Sequence, residues 1–284
     1  MSWVDELSFI GNQLCYWWFF MELNMLVSIF AFIFGAVIGS FLNVVILRLP
    51  SDNSSIAHPA SHCPQCSTTL RWFDNIPLLS YAFLLGRCRY CKASILLQYP
   101  IVELLMALLS LAVYIRFDLT ITAAGYLLFC AALLAIIWID IYHQIIPDTI
   151  SLPGIVLGFC FSLITPVLTW QDSLIGLVAG GGSLYLIALF YLLARKQDGM
   201  GGGDIKLLGM IGAFLGWQSL LFVVFFSSLT GAIVGIVCII RQGSDTATRI
   251  PFGPFLSMAA LVFLFFQEQI FYFFRLYMEG RLTF

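Results

Sequence analysis

The sequence predicts an all-α polytopic membrane protein, and three observations predict it. Of 284 residues, 61% are hydrophobic and only 10% are charged, with a mean hydropathy of +0.99. Long apolar runs recur between isolated charges, and one long polar stretch, Arg48 to Tyr99, interrupts them. A water-soluble domain carries about 25% charged residues. The composition therefore excludes an ordinary soluble enzyme, a disordered chain and a nucleic-acid-binding surface, and it makes membrane lipid the one required partner. The net charge of −2 carries little information, so the distribution of charge decides more than its sum.

A helix needs about 20 mostly apolar residues to cross the hydrocarbon core. On that measure about eight transmembrane helices can be drawn. They run from Leu23 to Leu47, Pro100 to Ile115, Leu119 to Ile139, Thr149 to Trp170, Ser173 to Ala194, Ile205 to Leu215, Leu220 to Ile240 and Phe255 to Phe274. The sixth is short for a span. The chain then divides into an N-terminal segment with the first helix (1–47), a polar insertion (48–99) and a transmembrane domain (100–284).

The basic residues orient these spans. Arg48, Arg71, Arg87, Arg89, Lys92, Arg195, Lys196, Lys206, Arg241 and Arg249 fall on the side of the insertion, leaving Arg116, Arg275 and Arg281 opposite. Cytoplasmic loops are the basic ones, which places the insertion in the cytoplasm. Asp5 and Glu6 stand where a signal peptide would carry basic residues, so no cleavable signal is expected. Tyr16, Trp17 and Trp18 suit the outer interface. Gly35 with Gly39, and Gly231 with Gly235, are four apart, a spacing that lets helix backbones approach closely.

Within the insertion, Cys63-Pro64-Gln65-Cys66 and Cys88-Arg89-Tyr90-Cys91 form two C-x-x-C pairs separated by twenty-one residues. Brought together, such turns set four thiolates at the corners of a tetrahedron, a structural zinc site. Disulfide or redox chemistry is the competing reading, and a reducing cytoplasm argues against it. His62 adjoins the first pair as an alternative ligand. So small a polar segment has too little core to fold unaided, and ligation supplies stability. Cys15, Cys130, Cys160 and Cys238 read as small buried hydrophobes.

Ionisable side chains at membrane depth are costly and mark function by default. Asp140 closes the third span, Asp148 follows in Ile146-Pro147-Asp148, Asp204 closes Gly199-Met200-Gly201-Gly202-Gly203-Asp204, and Glu103 opens the second span. Asp204, before an apolar run, is placed at a helix start, where it is either a structural cap or a catalytic acid. Two aspartates on different helices at one depth can share a water, one as general base and one as general acid in peptide hydrolysis. Metalloprotease and serine-hydrolase motifs are absent from the sequence, and His143, between Asp140 and Asp148, reads as a loop histidine.

With these residues the chain resembles the type IV prepilin peptidase family, membrane aspartic proteases of the GxGD type. The matching segments include Gly39 to Val44, Arg48-Leu49-Pro50, both cysteine pairs, Asn75-Ile76-Pro77, Tyr99-Pro100 with Glu103, Ile139-Asp140 through Pro147-Asp148, Gly199 to Leu208, and Pro251-Phe252-Gly253-Pro254. The resemblance implies a bacterial inner-membrane, multi-pass enzyme that cleaves a basic leader after a glycine at the cytoplasmic face. Its substrates would be the prepilins of type IV pili and the pseudopilins of type II secretion. It maps the catalytic pair onto Asp140 and Asp204 and gives Asp148, Gly201, Gly203, Lys206 and Glu103 supporting places. Relatives with the cysteine-bearing loop also N-methylate the new N-terminal residue from S-adenosylmethionine, so the resemblance implies that cofactor and a methyltransferase activity. Asp52, Asp74 and Asp198 could attract the basic leader, although each reads first as a solubilising loop charge, and glycines 199–203 are expected to be flexible.

Two rival classes remain. A proton- or cation-coupled transporter would distribute its carboxylates across the bilayer, whereas these gather near one face. A noncatalytic assembly partner would tolerate replacement of Asp140 or Asp204.

Overall fold

The structure is a computed structural model, and it describes residues 3–50, 61–196, 201–242 and 251–279. Asp52, His58, Asp198, Gly199, Met200, Arg249 and Arg281 lie outside the described residues, as do the side chains of residues 3–21. All regular structure among the described residues is helical. Nine α-helices follow in order: α1 (Trp3–Arg48), α2 (Leu79–Phe83), α3 (Gln98–Phe117), α4 (Ile121–His143), α5 (Asp148–Ser162), α6 (Trp170–Arg195), α7 (Gly202–Leu215), α8 (Gln218–Gln242) and α9 (Gly253–Met278). A 3-10 turn at Trp72–Asn75 precedes α2.

Among the described residues, six helical stretches are long and apolar enough to cross a membrane: Glu22–Arg48 within α1, then α3, α4, α6, α8 and α9. These account for six of the eight expected spans, and the other two runs fall on shorter helices. Each of the eight apolar runs lies on a helix, yet α5 has 15 residues and α7 has 14, which is about 22 Å of helix each. The run expected to continue from Thr149 to Trp170 breaks at Ser162, before Thr165 and Pro166. Helix α7 stops at Gly216, whose φ of +79° ends the helix without the Cβ penalty another residue would meet.

The chain packs as two units. The first comprises residues 1–41 and 62–118. Here Gly35 and Gly39 of α1 do what their spacing predicts: a Cβ at Gly39 would stand 2.6 Å from the Glu103 backbone, and one at Gly35 2.5 Å from Ser110. The Ser110 hydroxyl donates to the Ala31 carbonyl at 2.7 Å across the same contact.

The second unit comprises residues 42–61 and 119–284. Its centre is α7, where every side chain from Leu207 to Leu215 is buried. A helix walled in by protein on all sides need not match the bilayer thickness, which explains its shortness. It meets α6 backbone to backbone: a Cβ at either Gly176 or Gly212 would strike the carbonyl of the other. On the opposite flank Phe214 stacks on Phe129 at 4.6 Å and packs against Phe161 at 5.7 Å. Backbone atoms cannot yield as side-chain tips do. Gly176→Ala and Gly212→Ala are each expected to destabilise the protein by about 1–3 kcal/mol, read as a lowered melting temperature in detergent.

The helix ends of this unit gather in two groups. Near Asp140, the end of α4 meets the starts of α5, α7 and α9 through Ile146, Gly203 and Gly253. Elsewhere Gly216, between α7 and α8, touches Leu168 and Asp172, which lie between α5 and the first turn of α6. Cys130 is buried as expected, but Cys160 is exposed and Cys238 half-buried, on faces of α5 and α8 turned away from the protein.

Candidate active site

Asp140 sits in the last turn of α4, which ends where Gln144 turns left-handed and donates its N–H to the Asp140 carbonyl. The side chain is buried, and its Oδ2 accepts a 3.0 Å hydrogen bond from the Gly253 N–H at the start of α9. Asp204 sits in the first turn of α7, with Gly201 as the N-cap and its own N–H donating to the Gly201 carbonyl. The two carboxylates are close enough for the charge of one to act on the other. The expected helix ends are therefore observed: Asp204 at an N-terminus, Asp140 at a C-terminus.

One side chain joins the surroundings of the two acids. A Cβ placed on Gly203 would lie 2.9 Å from the Ile146 Cβ, and one placed on Gly253 would lie 3.1 Å from the Ile146 Cδ1. The same Gly253 Cβ would lie 2.6 Å from Asp140 Oδ2. Gly203 and Gly253 are thus sites of close approach rather than hinges. Gly202 and Gly203 belong to the helix and neither has a positive φ, so the unusual torsions that glycine permits are not used there.

Asp148 and Lys206 form an ion pair, with Lys206 Nζ at 2.6 and 2.8 Å from the two carboxylate oxygens. It ties the first turn of α5 to the first turn of α7, two residues beyond Asp204. Both side chains are well exposed, so the pair adds at most about 1 kcal/mol to stability, and its effect is on the position of α7. His143 is exposed at the end of α4, in line with its reading as a solvated residue. Glu103 belongs to the other unit: it is buried and accepts the Leu78 N–H at 2.8 Å, holding the segment that leads into α2.

The four cysteines of the insertion come together, their Sγ atoms all within 4.8 Å of one another. Sulfurs bound at about 2.3 Å around a tetrahedral ion stand about 3.8 Å apart, and Cys63 and Cys91 are separated by 3.8 Å. The donor set and spacing thus fit a metal ion such as zinc. The two pairs are one motif used twice, a repeat that the sequence reading missed. Cys63 N–H donates to Thr68 O and Ser67 N–H returns to Cys63 O; Cys88 N–H donates to Ala93 O and Lys92 N–H returns to Cys88 O. Ser67 and Lys92 both take positive φ, at +54° and +61°. The Thr68 hydroxyl, and then its backbone N–H, hold the Cys66 thiol down to about 6. Backbone N–H groups of Cys91 and Tyr90 lower Cys88.

Asp74 departs from both readings of it. It is neither a solubilising charge nor open to a basic peptide: it is buried, with Arg89 Nε at 2.6 Å. Arg89 lies inside the second C-x-x-C pair, so this bond fastens the 3-10 turn to the metal-binding motif.

Fold and site together define a class: a polytopic helical membrane protein with an interacting pair of aspartates in its bundle and a four-cysteine insertion. Comparison with known proteins narrows it. Residues 33–117 match the Bacterial Peptidase A24 N-terminal domain, and residues 127–236 match the Type IV leader peptidase family. The prepilin leader peptidase/N-methyltransferase of Stutzerimonas stutzeri is 38% identical over 262 residues, which is 84% of this chain and 91% of the relative. The protein of the same description from Pseudomonas aeruginosa is 38% identical over 258 residues, covering 83% and 89%. That from Aeromonas salmonicida is 37% identical over 263 residues, covering 84% and 90%. No solved structure matches. The chain belongs to the type IV leader peptidase family.

Proposed function

We propose that this protein is a prepilin leader peptidase and N-methyltransferase in which Asp140 and Asp204 are the catalytic pair. The observation that carries the reading is their placement: two carboxylates from facing ends of α4 and α7, acting on one another inside the bundle. One ionised carboxylate takes a proton from a water as its oxygen attacks the carbonyl of the glycine that ends the leader. The protonated partner hydrogen-bonds that carbonyl, and its proton then passes to the departing amide nitrogen, yielding a free carboxyl and a free amine. The helix start favours an ionised Asp204, whereas the Gly253 N–H favours an ionised Asp140, so the two titrate as a pair and either can serve as the base. The Gly253 N–H orients Asp140. One proton shared between two acids gives a bell-shaped dependence of cleavage on pH: the rate falls on the acid side as both protonate and on the alkaline side as both ionise.

The substrates would be prepilins and pseudopilins, whose basic leader stays in the cytoplasm while the apolar helix that follows enters the bilayer. The positive-inside rule places the insertion, and with it the acid-bearing helix ends, on the cytoplasmic side of a bacterial inner membrane. Eight crossings fit that arrangement. Helix α5 begins near Asp140 and α6 ends on that side again, while α7 begins there and ends by Asp172, so both short helices carry the chain across the bundle. The functional parts are then the first helix (1–47), the metal-binding insertion (48–99) and the peptidase region (100–284). Asp148, Lys206, Gly201 and Gly203 support the start of α7, and Glu103 supports the insertion. Nothing in the comparisons favours a transporter.

Zinc is the metal that Cys63, Cys66, Cys88 and Cys91 would hold, with a purely structural role because four sulfurs fill its coordination. Binding needs thiolates, so metal affinity is expected to fall steadily as pH falls and protons compete for the four sulfurs. Metal content at one per chain, lost in Cys88→Ser, checks this. S-adenosylmethionine is the methyl donor that the second activity implies, and it supplies an electrophilic methyl group to the new amine. The test of the whole reading is incubation of the purified protein with a prepilin, with and without S-adenosylmethionine, and mass spectrometry of the product N-terminus. Cleavage after the glycine in both arms and a methyl mass shift only in the second is expected. An intact prepilin in both would overturn it.

A further inference from the structure

The insertion carries an apolar surface that neither the metal site nor the peptidase reaction uses. In α2, Leu79, Ala82 and Phe83 follow one another at helical spacing of three and four, and all are exposed. Phe83 is 83% exposed and Leu85, just beyond the helix, 85%, as high as side chains on the outer faces of the spans, such as Phe190 at 75%. The inward side is committed: the Ser80 hydroxyl bonds the Ile76 carbonyl, and Tyr81 lies against Gly86.

The depth of this surface is set by a hydrogen bond. Leu78, the N-cap of α2, donates its N–H to Glu103 Oε2 at 2.8 Å. Glu103 stands five residues into α3, about 7–8 Å along the helix axis, and α3 is a 20-residue span. The start of α2 is therefore fastened to the outermost turns of a transmembrane helix. Leu96 and Leu97, exposed immediately before the span, carry the apolar surface into it. Between residues 61 and 97 the only acid is Asp74, which Arg89 neutralises, while Arg71, Arg87 and Lys92 are exposed.

We propose that α2 is an interfacial helix: Leu79, Ala82, Phe83 and Leu85 lie in the boundary between headgroups and acyl chains, beside the first turns of α3. The occupant of the surface is lipid. An apolar face at the depth of a span's first turn, flanked by exposed cations, matches an anionic leaflet, where buried apolar area and attraction to headgroups add. The metal-binding insertion is thereby seated on the membrane surface rather than projecting from it, whichever reaction the protein performs.

Photo-crosslinking of the full-length protein in vesicles of phosphatidylethanolamine and phosphatidylglycerol tests this. A benzophenone amino acid is placed at Phe83 or at Leu85, with Leu104 on the outer face of α3 as the lipid-facing control and Ser94 as the aqueous one. Prepilin cleavage by each variant reports that it has folded. Lipid adducts at 83 and 85 comparable to those at 104, and about tenfold above those at 94, are expected for a face buried at headgroup depth. Yields at the level of Ser94 would overturn the proposal. So would crosslinks that go to a second copy of the chain, or that move from lipid to prepilin when prepilin is added.

Discussion

Asp140→Asn and Asp204→Asn are each expected to lower the rate of leader cleavage by roughly three to four orders of magnitude, with protein accumulating in the membrane at the wild-type level. The amide keeps the shape of the carboxyl and its capacity to accept the Gly253 N–H, so packing around Asp140 is preserved. What it loses is the exchange of a proton. A base without charge cannot take the proton of the attacking water, and an acid without a proton cannot release the amine. Rate measurement on purified variants, normalised to membrane protein, checks the expectation. A scaffold that only bound the secretion or pilus machinery would show wild-type assembly with either variant.

Gly253→Ala is expected to come next, lowering the cleavage rate by about a hundredfold, the loss that accompanies a misplacement of about 1 Å. The added Cβ would stand 2.6 Å from Asp140 Oδ2 and 3.1 Å from Ile146, so the carboxylate must move away from the start of α9. The N–H that donates to Asp140 is retained, which separates displacement of the acid from loss of its hydrogen bond. Gly202→Ala is the internal control: a Cβ there meets nothing within 4 Å, and activity should be near that of the wild type. Equal, mild losses at 202 and 253 would show that close packing at Gly253 does not position Asp140.

Much of this was legible in the sequence because membrane insertion and metal binding depend on composition and short spacing. Apolar runs located every span, and the C-x-x-C pairs located the sulfur cluster, since ligand spacing within a turn is a local property. The helix ends at Asp140 and Asp204 followed from the apolar runs that they border. What was not legible depends on packing between distant segments. The closest helix contact, Gly176 on Gly212, had a local signal that went unread, since Gly176 with Gly180 and Gly212 with Gly216 are four apart, but which helix each would meet is not written in the spacing. Gly253 stood inside a matched segment without a role, because its N–H finds Asp140 only when α9 is laid against α4. Asp74 looked like a solubilising charge until Arg89, fifteen residues on, was found beside it. Helix length was not legible at α5, which ends before Thr165 and Pro166, or at α7, where burial by neighbouring helices replaces contact with lipid.

The central claim is that Asp140 and Asp204 act as one unit on one water. The most direct measurement is the cleavage rate of Asp140→Asn, Asp204→Asn and the variant carrying both, in the same bilayer and with the same prepilin. A unit loses its function with its first member, so the double variant should be no slower than either single one. Losses that multiply in the double variant, or a single variant that retains a substantial rate, would mean that the two aspartates do not share the reaction.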